Sequence, residues 1–150
     1  FLESVQNPAN IGAILRSCYA LGFGKIILNK ECSDIYSPKC LRAAMGSVFR
    51  IKSYFEEDII SIARNISSCS NVRIFCTSLS EKSVKLGTIS FNETDCFVIG
   101  NEGHGVSKEM FDACSHRLYI PMNIGAESLN AAAAAALVMW EMKKSTLLSQ

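Results

Sequence analysis

The sequence has no Cys-x-x-Cys pair and no cysteine and histidine at zinc-finger spacing, so its seven cysteines do not announce a structural metal site. Scattered at positions 18, 32, 40, 69, 76, 96 and 114, they read as small core residues of a protein kept in a reducing, cytoplasmic compartment. No glycine stretch ends in Gly-Lys-Ser/Thr, and neither Gly22-Phe-Gly24 nor residues 100–105 has Gly-x-Gly-x-x-Gly spacing. A P-loop and a dinucleotide fingerprint are therefore missing. Ser128 with His104 or His116 and a glutamate could suggest a hydrolase, but Ala126 and Asn130 stand where a nucleophile elbow needs glycines. No histidine pair lies at helical spacing and the acidic residues do not cluster, so no metal is expected. The longest apolar run, residues 131–140, is too short and too alanine-rich to span a bilayer. There is also no long basic block. With a net charge of +1, any phosphate-binding surface has to be local, shared between subunits or supplied by further sequence.

What is present describes one compact unit. The 150 residues are 49% hydrophobic and 19% charged, enough for a sizeable core, with no repeat, low-complexity tract or linker to divide them. The first residue is Phe1 rather than an initiator methionine, and residues 1–5 read as the end of a strand, so a missing upstream segment is expected.

Asn7-Pro8 is a turn signal, after which Ile11, Ile14, Leu15, Cys18 and Leu21 recur at helical spacing up to the stop at Gly22. Residues 25–28 form a short strand, and Ser37-Pro38 caps and starts a helix to about Met45. Residues 50–55 read as a strand, 56–66 as a helix and 72–77 as a strand. After a looser segment, the buried-strand pattern at 96–99 runs into the glycine loop 100–105. Ser107 then caps a short helix to about Cys114, and 118–120 form the last strand. Alternating strands and helices indicate an α/β fold, a parallel sheet with helices on both faces. Sites in such sheets collect at the carboxyl ends of strands, which selects the loops after residues 5, 99 and 120.

The third of these loops feeds six consecutive alanines, Ala131 to Ala136, which are strong helix formers and small enough for other backbone to approach. Ser128 or Asn130 can cap that helix. Arg16 stands six residues after Asn10 on the first helix, beside the core positions Ile11 and Leu15. An arginine there is either a solvated helix residue or one held for a purpose.

Three motifs follow one another in order: Asn7-Pro8-Ala9-Asn10-Ile11-Gly12 with Arg16, Val98 to Ser107, and Ile120-Pro121-Met122 with Ser128-Leu129-Asn130. Together they closely resemble the motifs of the SpoU-like (TrmH-like) RNA ribose 2′-O-methyltransferases of the SPOUT superfamily, across nearly the whole chain. Residues 37–49, with an Ala-Ala-Met-Gly-Ser core, also resemble the helix these proteins carry between motifs one and two. The resemblance implies a SpoU-type catalytic domain over residues 1–150, often preceded in the family by an RNA-binding domain. It also implies a C-terminal trefoil knot, which periodicity alone could never indicate.

The cofactor implied is S-adenosylmethionine, the substrate tRNA or rRNA, and the assembly a homodimer that completes the site. Cofactor contacts are implied at Gly100, Ile120 and Leu129, largely through backbone, with Thr77, Leu79, Asn101, Gly105 and Met122 beside them. Asn10, Arg16, Glu102, Ser128 and Asn130 match the polar catalytic positions. By analogy Arg16 handles the target hydroxyl or an adjacent phosphate, while the other four orient it and shape the pocket. The alternatives are a non-catalytic RNA- or cofactor-binding module of the same fold, and a nucleotide-binding α/β protein such as an oxidoreductase.

Overall fold

A computed structural model describes residues 1–78 and 83–149. It contains the elements α1 (Pro8–Ala20), β1 (Lys25–Asn29), α2 (Pro38–Ala44), a single 3-10 turn (Ser47–Phe49), β2 (Lys52–Glu56), α3 (Ile59–Ser67), β3 (Ile74–Thr77), β4 (Val84–Lys85), β5 (Cys96–Val98), α4 (Lys108–Ala113), β6 (His116–Tyr119) and α5 (Ala131–Leu147).

Among the described residues all strand pairs are parallel. One ladder joins β1 to β2, and a second runs β4-β6-β3-β5. The start of the chain lies between them: Leu2 bridges Leu28 on one side and Ile99 on the other, so the two ladders read as one sheet with the first residues at its centre. The strand expected at 1–5 is thus reduced to this bridge. Its backbone bonds are Leu2 N–H to Ile27 at 2.8 Å and Glu3 N–H to Ile99 at 2.9 Å. Ser4, at φ +55°, turns the chain out of the sheet, a left-handed conformation that disfavours continued pairing.

Helices cover both faces, as the alternation of strands and helices requires. On one face α1, α2 and α5 bury Ile11, Leu15, Cys18, Cys40, Ala135 and Met139 against Leu2, Ile26, Leu28 and Ile99. On the other, α3 and α4 bury Ile59, Ala63 and Met110 against Ile74, Cys76 and Val98. Phe75, between Ile74 and Cys76, points the opposite way and packs with Leu118, Val138 and Met142. This is the two-residue alternation of a strand buried on both sides. Each such buried Leu, Ile or Phe contributes about 1.5–3 kcal/mol.

Local chemistry sets most of the boundaries. Asn7 caps α1 by accepting from the Ala9 N–H at 3.0 Å, and Pro8 occupies the first turn, where its missing N–H costs nothing. Ser37 differs from expectation: its hydroxyl donates to Asp34 O rather than capping α2, which Pro38 starts alone. Helix α3 begins three residues later than expected, because Asp58 accepts from Ser61 N–H and fixes the start there. Strand β2 begins at Lys52 rather than 50, and β6 runs 116–119 rather than 118–120. The two-residue β4 lies inside the segment read as loose. Cys18, Cys40, Cys76 and Cys114 are buried as expected of small core residues, whereas Cys69 is exposed just beyond α3.

Gly12 explains how α1 and α2 approach. A Cβ there would meet Cys40 O at 2.5 Å and Ala43 Cβ at 2.7 Å, so the helices touch only because both small residues are present.

Candidate functional site

Strands β3, β5 and β6 all end on the same side, and at their carboxyl ends opens a cleft of about 600 Å³. Thr77 ends β3 and Ser78 follows it, Ile99 to Val106 follow β5, and Tyr119 ends β6 with Ile120 and Met122 after it. Glu127, Ser128 and Leu129, with Ala131 and Ala134 of α5, complete the lining of the cleft. The small alanine side chains leave this space open. A cleft of this size falls within the ~300–1,000 Å³ of small-molecule sites.

The glycine loop is held by its own atoms. Asn101 and Gly105 exchange backbone hydrogen bonds at 2.9 and 2.8 Å, and Asn101 Oδ1 accepts from the N–H groups of Gly103 and His104. Asn101 Nδ2 donates to Ser4 O at 2.9 Å, fastening the loop to the sheet centre. Gly100 has no room for a side chain, because a Cβ would overlap the carbonyl of Gly105 and the nitrogen of Val106. Gly105 is required for a different reason, its φ of +71°.

Behind the loop, Glu3 is 6% exposed, and its carboxylate accepts from both the N–H (2.9 Å) and the hydroxyl (2.5 Å) of Ser107. Ser107 in turn caps α4 through Met110 N–H. Glu3 was not legible as a site residue, although a carboxylate between Leu2 and Val5 in a segment read as strand was a usable signal.

Three of the five expected catalytic residues meet. Asn130 caps α5 by accepting from Ala132 and Ala133 N–H, and its Nδ2 donates to Asn10 Oδ1 at 3.0 Å. Asn10, 7% exposed, donates from Nδ2 to Glu102 Oε1 at 3.0 Å. Glu102 also accepts from Gln6 N–H at 3.1 Å and Asn7 N–H at 3.0 Å. One carboxylate therefore joins the start of α1, the glycine loop and, through Asn10, the cap of α5.

Burial pushes the Glu102 carboxyl up, but the Asn10 amide and the N–H groups of Gln6, Glu102 and Asn7 outweigh it and hold the group below its ordinary value. A folded value below the unfolded one, about 4.3, means that these bonds stabilise the fold above that pH and are lost as pH falls through the folded value. The stability gap between wild type and Glu102→Gln is expected to be widest at neutral pH and to close below about pH 4 in urea unfolding. A gap independent of pH would show that the charge on Glu102 is not what holds these strands and helices together.

Arg16 and Ser128 stand outside this network. Ser128 is exposed on the cleft wall, while Arg16 is exposed on α1 and makes no hydrogen bond or ion pair among the described residues. Among the described residues no hydrogen bond joins Arg16 to Asn10, Glu102, Ser128 or Asn130 within the chain. Six residues turn a helix about 240° past Asn10, which sends the guanidinium away from the Asn10 side.

Of the expected cofactor positions, Thr77, Gly100, Asn101, Gly105, Ile120, Met122 and Leu129 all line the cleft, and Leu79 lies outside the described residues. Ser78, His104, Phe111, Tyr119 and Glu127 also line it and were not anticipated. Phe111 belongs to α4, which carries no motif of its own, whereas His104 sits within the glycine loop and could have been named. Among the described residues no three His, Cys, Asp or Glu side chains converge as metal ligands, and no helix is long and apolar enough to cross a membrane.

Comparison with known proteins places this geometry. A profile of the SpoU rRNA Methylase family matches residues 1–140. The 23S rRNA (guanosine(2553)-2'-O)-methyltransferase RlmP of Bacillus subtilis is 30% identical over 148 residues, covering 95% of this chain and 56% of the relative. The 23S rRNA (uridine(2479)-2'-O)-methyltransferase of Streptomyces viridochromogenes is 33% identical over 140 residues, covering 90% of this chain and 48% of the relative. The chain thus spans about half the length of the curated relatives it matches. Among solved structures, an AdoMet-bound rRNA methyltransferase from Sinorhizobium meliloti superposes with a TM-score of 0.85 at 33% identity, over 96% of this chain and 54% of that one. The SpoU methyltransferase AviRb from Streptomyces viridochromogenes, in complex with AdoMet, gives a TM-score of 0.85 at 27% identity, over 97% and 56%.

Proposed function

Since the chain belongs to the SpoU rRNA Methylase family, we propose that it is the catalytic domain of an RNA 2′-O-methyltransferase that uses S-adenosylmethionine and acts on tRNA or rRNA. The observation that carries this reading is convergence: motifs far apart in sequence, at residues 10, 100–105 and 120–130, build one cleft and one hydrogen-bonded wall.

The residues present suit the cofactor. Gly100 brings the Gly105–Val106 backbone against its own, leaving a narrow polar edge, while Ile99, Ile120 and Leu129 offer apolar surface for a nucleoside. Glu102 and Glu127 place carboxylates at the cleft, the charge that suits a cationic ligand. When bound, S-adenosylmethionine supplies an electrophilic methyl group on a sulfonium, so the chain's task is to position a ribose hydroxyl against it. In this reading Asn10, Glu102 and Asn130 fix the wall, Ser128 borders the cleft, and Arg16 reaches the ribose hydroxyl or its phosphate. A guanidinium offers five N–H donors and no acceptor, which suits Arg16 to positioning rather than to taking a proton.

Titration calorimetry should detect S-adenosylmethionine and its demethylated product without added metal, and no heat from NAD. A strict divalent-ion requirement, or binding of NAD instead, would sink the assignment. The site is read as completed by a second copy. Leu137 and Trp140 of α5 are 43% and 42% exposed, apolar surface suited to a homodimer, and α5 packs on α1, the helix that carries Arg16. Sedimentation at micromolar concentration is expected to report a dimer, and a clean monomer would remove the shared site.

A further inference from the structure

A net charge of +1 hides an uneven distribution. Residues 35–55 contain Lys39, Arg42, Arg50 and Lys52 and no Asp or Glu. Helix α1, packed on α2 at Gly12, also lacks acidic residues and contributes Arg16. All of these cations are exposed, and none is in an ion pair among the described residues.

The same segment displays its largest apolar groups to solvent. Phe49 is 74% exposed, Met45 72% and Tyr36 55%. The backbone accounts for this. Cys40 and Ala44 form the buried side of α2, which leaves Lys39 and Arg42 on the opposite side one turn apart. Met45 at φ +49° and Gly46 at φ +83° then reverse the chain, so that Val48 is buried and Phe49 is turned out. Flat apolar groups interleaved with unpaired cations match the two faces of single-stranded RNA: bases stack on rings while phosphates meet Lys and Arg.

We propose that the surface formed by α2 and the 3-10 turn, with Lys39, Arg42, Arg50 and Phe49 at its centre, is a docking platform for single-stranded RNA. It rests on the reading of RNA as the substrate and adds where the chain grips it. It also resolves how a nearly neutral chain engages a polyanion, since the positive charge is concentrated where acidic residues are absent.

The test is fluorescence anisotropy of the purified protein with a short single-stranded oligoribonucleotide of mixed sequence, without cofactor and over a range of salt. In Lys39→Gln/Arg42→Gln/Arg50→Gln, affinity is expected to fall tenfold or more at low salt, and the slope of log affinity against log salt to flatten by about 2, at roughly 0.7 per phosphate contact. Phe49→Ala should weaken binding by about fivefold or more and Phe49→Trp should restore it, as stacking requires. Calorimetric affinity for S-adenosylmethionine and the sedimentation coefficient are expected to stay at wild-type values. Unchanged RNA affinity and salt slope in both variants would overturn the proposal. So would a change of oligomeric state with RNA affinity intact, which would make this face a contact between copies. A wild-type protein that binds RNA through this surface but transfers no methyl group would instead overturn the methyltransferase reading and leave the platform standing.

Discussion

Replacing Arg16 with alanine is expected to leave S-adenosylmethionine affinity nearly intact and to lower methyl-transfer turnover roughly a hundredfold or more, the scale seen when one positioned polar group is lost from a transition state. Arg16 is exposed, unpaired among the described residues and absent from the cleft lining, so its removal disturbs no contact that shapes the cleft. Its helix is nonetheless fixed at the other end by Asn7 and Asn10, both bonded to Glu102. A guanidinium carried on so firmly anchored a helix is available to something outside the chain, an RNA phosphate or ribose or a second subunit's cleft. A merely solvated arginine predicts something else: a stability change under ~0.5 kcal/mol and unchanged chemistry. Arg16→Lys separates charge from shape, since lysine lacks the planar fork, and it should rescue little. Full activity in Arg16→Ala would remove the residue from the mechanism. Joint loss of activity and cofactor binding would move it into the architecture of the pocket.

Gly100→Ala is expected to abolish cofactor binding and to destabilise the fold by about 3 kcal/mol, the upper range of overpacking costs. The methyl group would overlap backbone atoms of Gly105 and Val106, and backbone that exchanges hydrogen bonds with Asn101 cannot rotate aside as a side chain would. Relief requires the loop to open, which separates the Asn101–Gly105 bridge and moves Glu102 from Asn10. Gly105→Ala is the informative control. Nothing lies within 4 Å of a Cβ at that position, so its cost is only the left-handed φ, about 1–2 kcal/mol. Cofactor affinity is expected to survive in Gly105→Ala at reduced temperature and to be lost in Gly100→Ala at any temperature. Wild-type calorimetry in Gly100→Ala would show that the tight loop is not what holds the ligand.

Much of this architecture was legible because it is local. Ile11, Ile14, Leu15 and Cys18 mark the buried side of α1 by their spacing, and all four are buried. Ser107 was readable as a cap from residue type and position, and Asn130 as one of two candidates, and both accept N–H bonds of the helices that follow them. The cleft at the carboxyl ends of the strands followed from parallel topology before any side chain was placed.

What escaped was long-range or conditional. The bridge from Leu2 to both Leu28 and Ile99, and the bonds from Glu3 to Ser107 and Asn101 to Ser4, each join residues about a hundred positions apart or depend on one that does. No window of periodicity contains both partners. Ser37 looked like a cap and is not one, because its hydroxyl finds the Asp34 carbonyl first. The grouping of Asn130, Asn10 and Glu102 came from motif resemblance and not from pattern, since nothing about an isolated Asn or Glu says which other loop it will meet. Arg16 was placed among core neighbours by the sequence, yet its side chain is exposed, a consequence of sitting at the edge of the apolar stripe.

In the proposed reaction a methyl group passes from S-adenosylmethionine to a ribose hydroxyl. Ribosomal and transfer RNA from cells lacking the gene, incubated with the protein and isotopically methyl-labelled S-adenosylmethionine, would be digested to nucleosides and resolved by mass spectrometry. The expected product is a 2′-O-methylnucleoside carrying the label on its ribose. Label confined to a base, or tight binding of both RNA and cofactor with no labelled nucleoside, would contradict it, the latter in favour of a non-catalytic binding module.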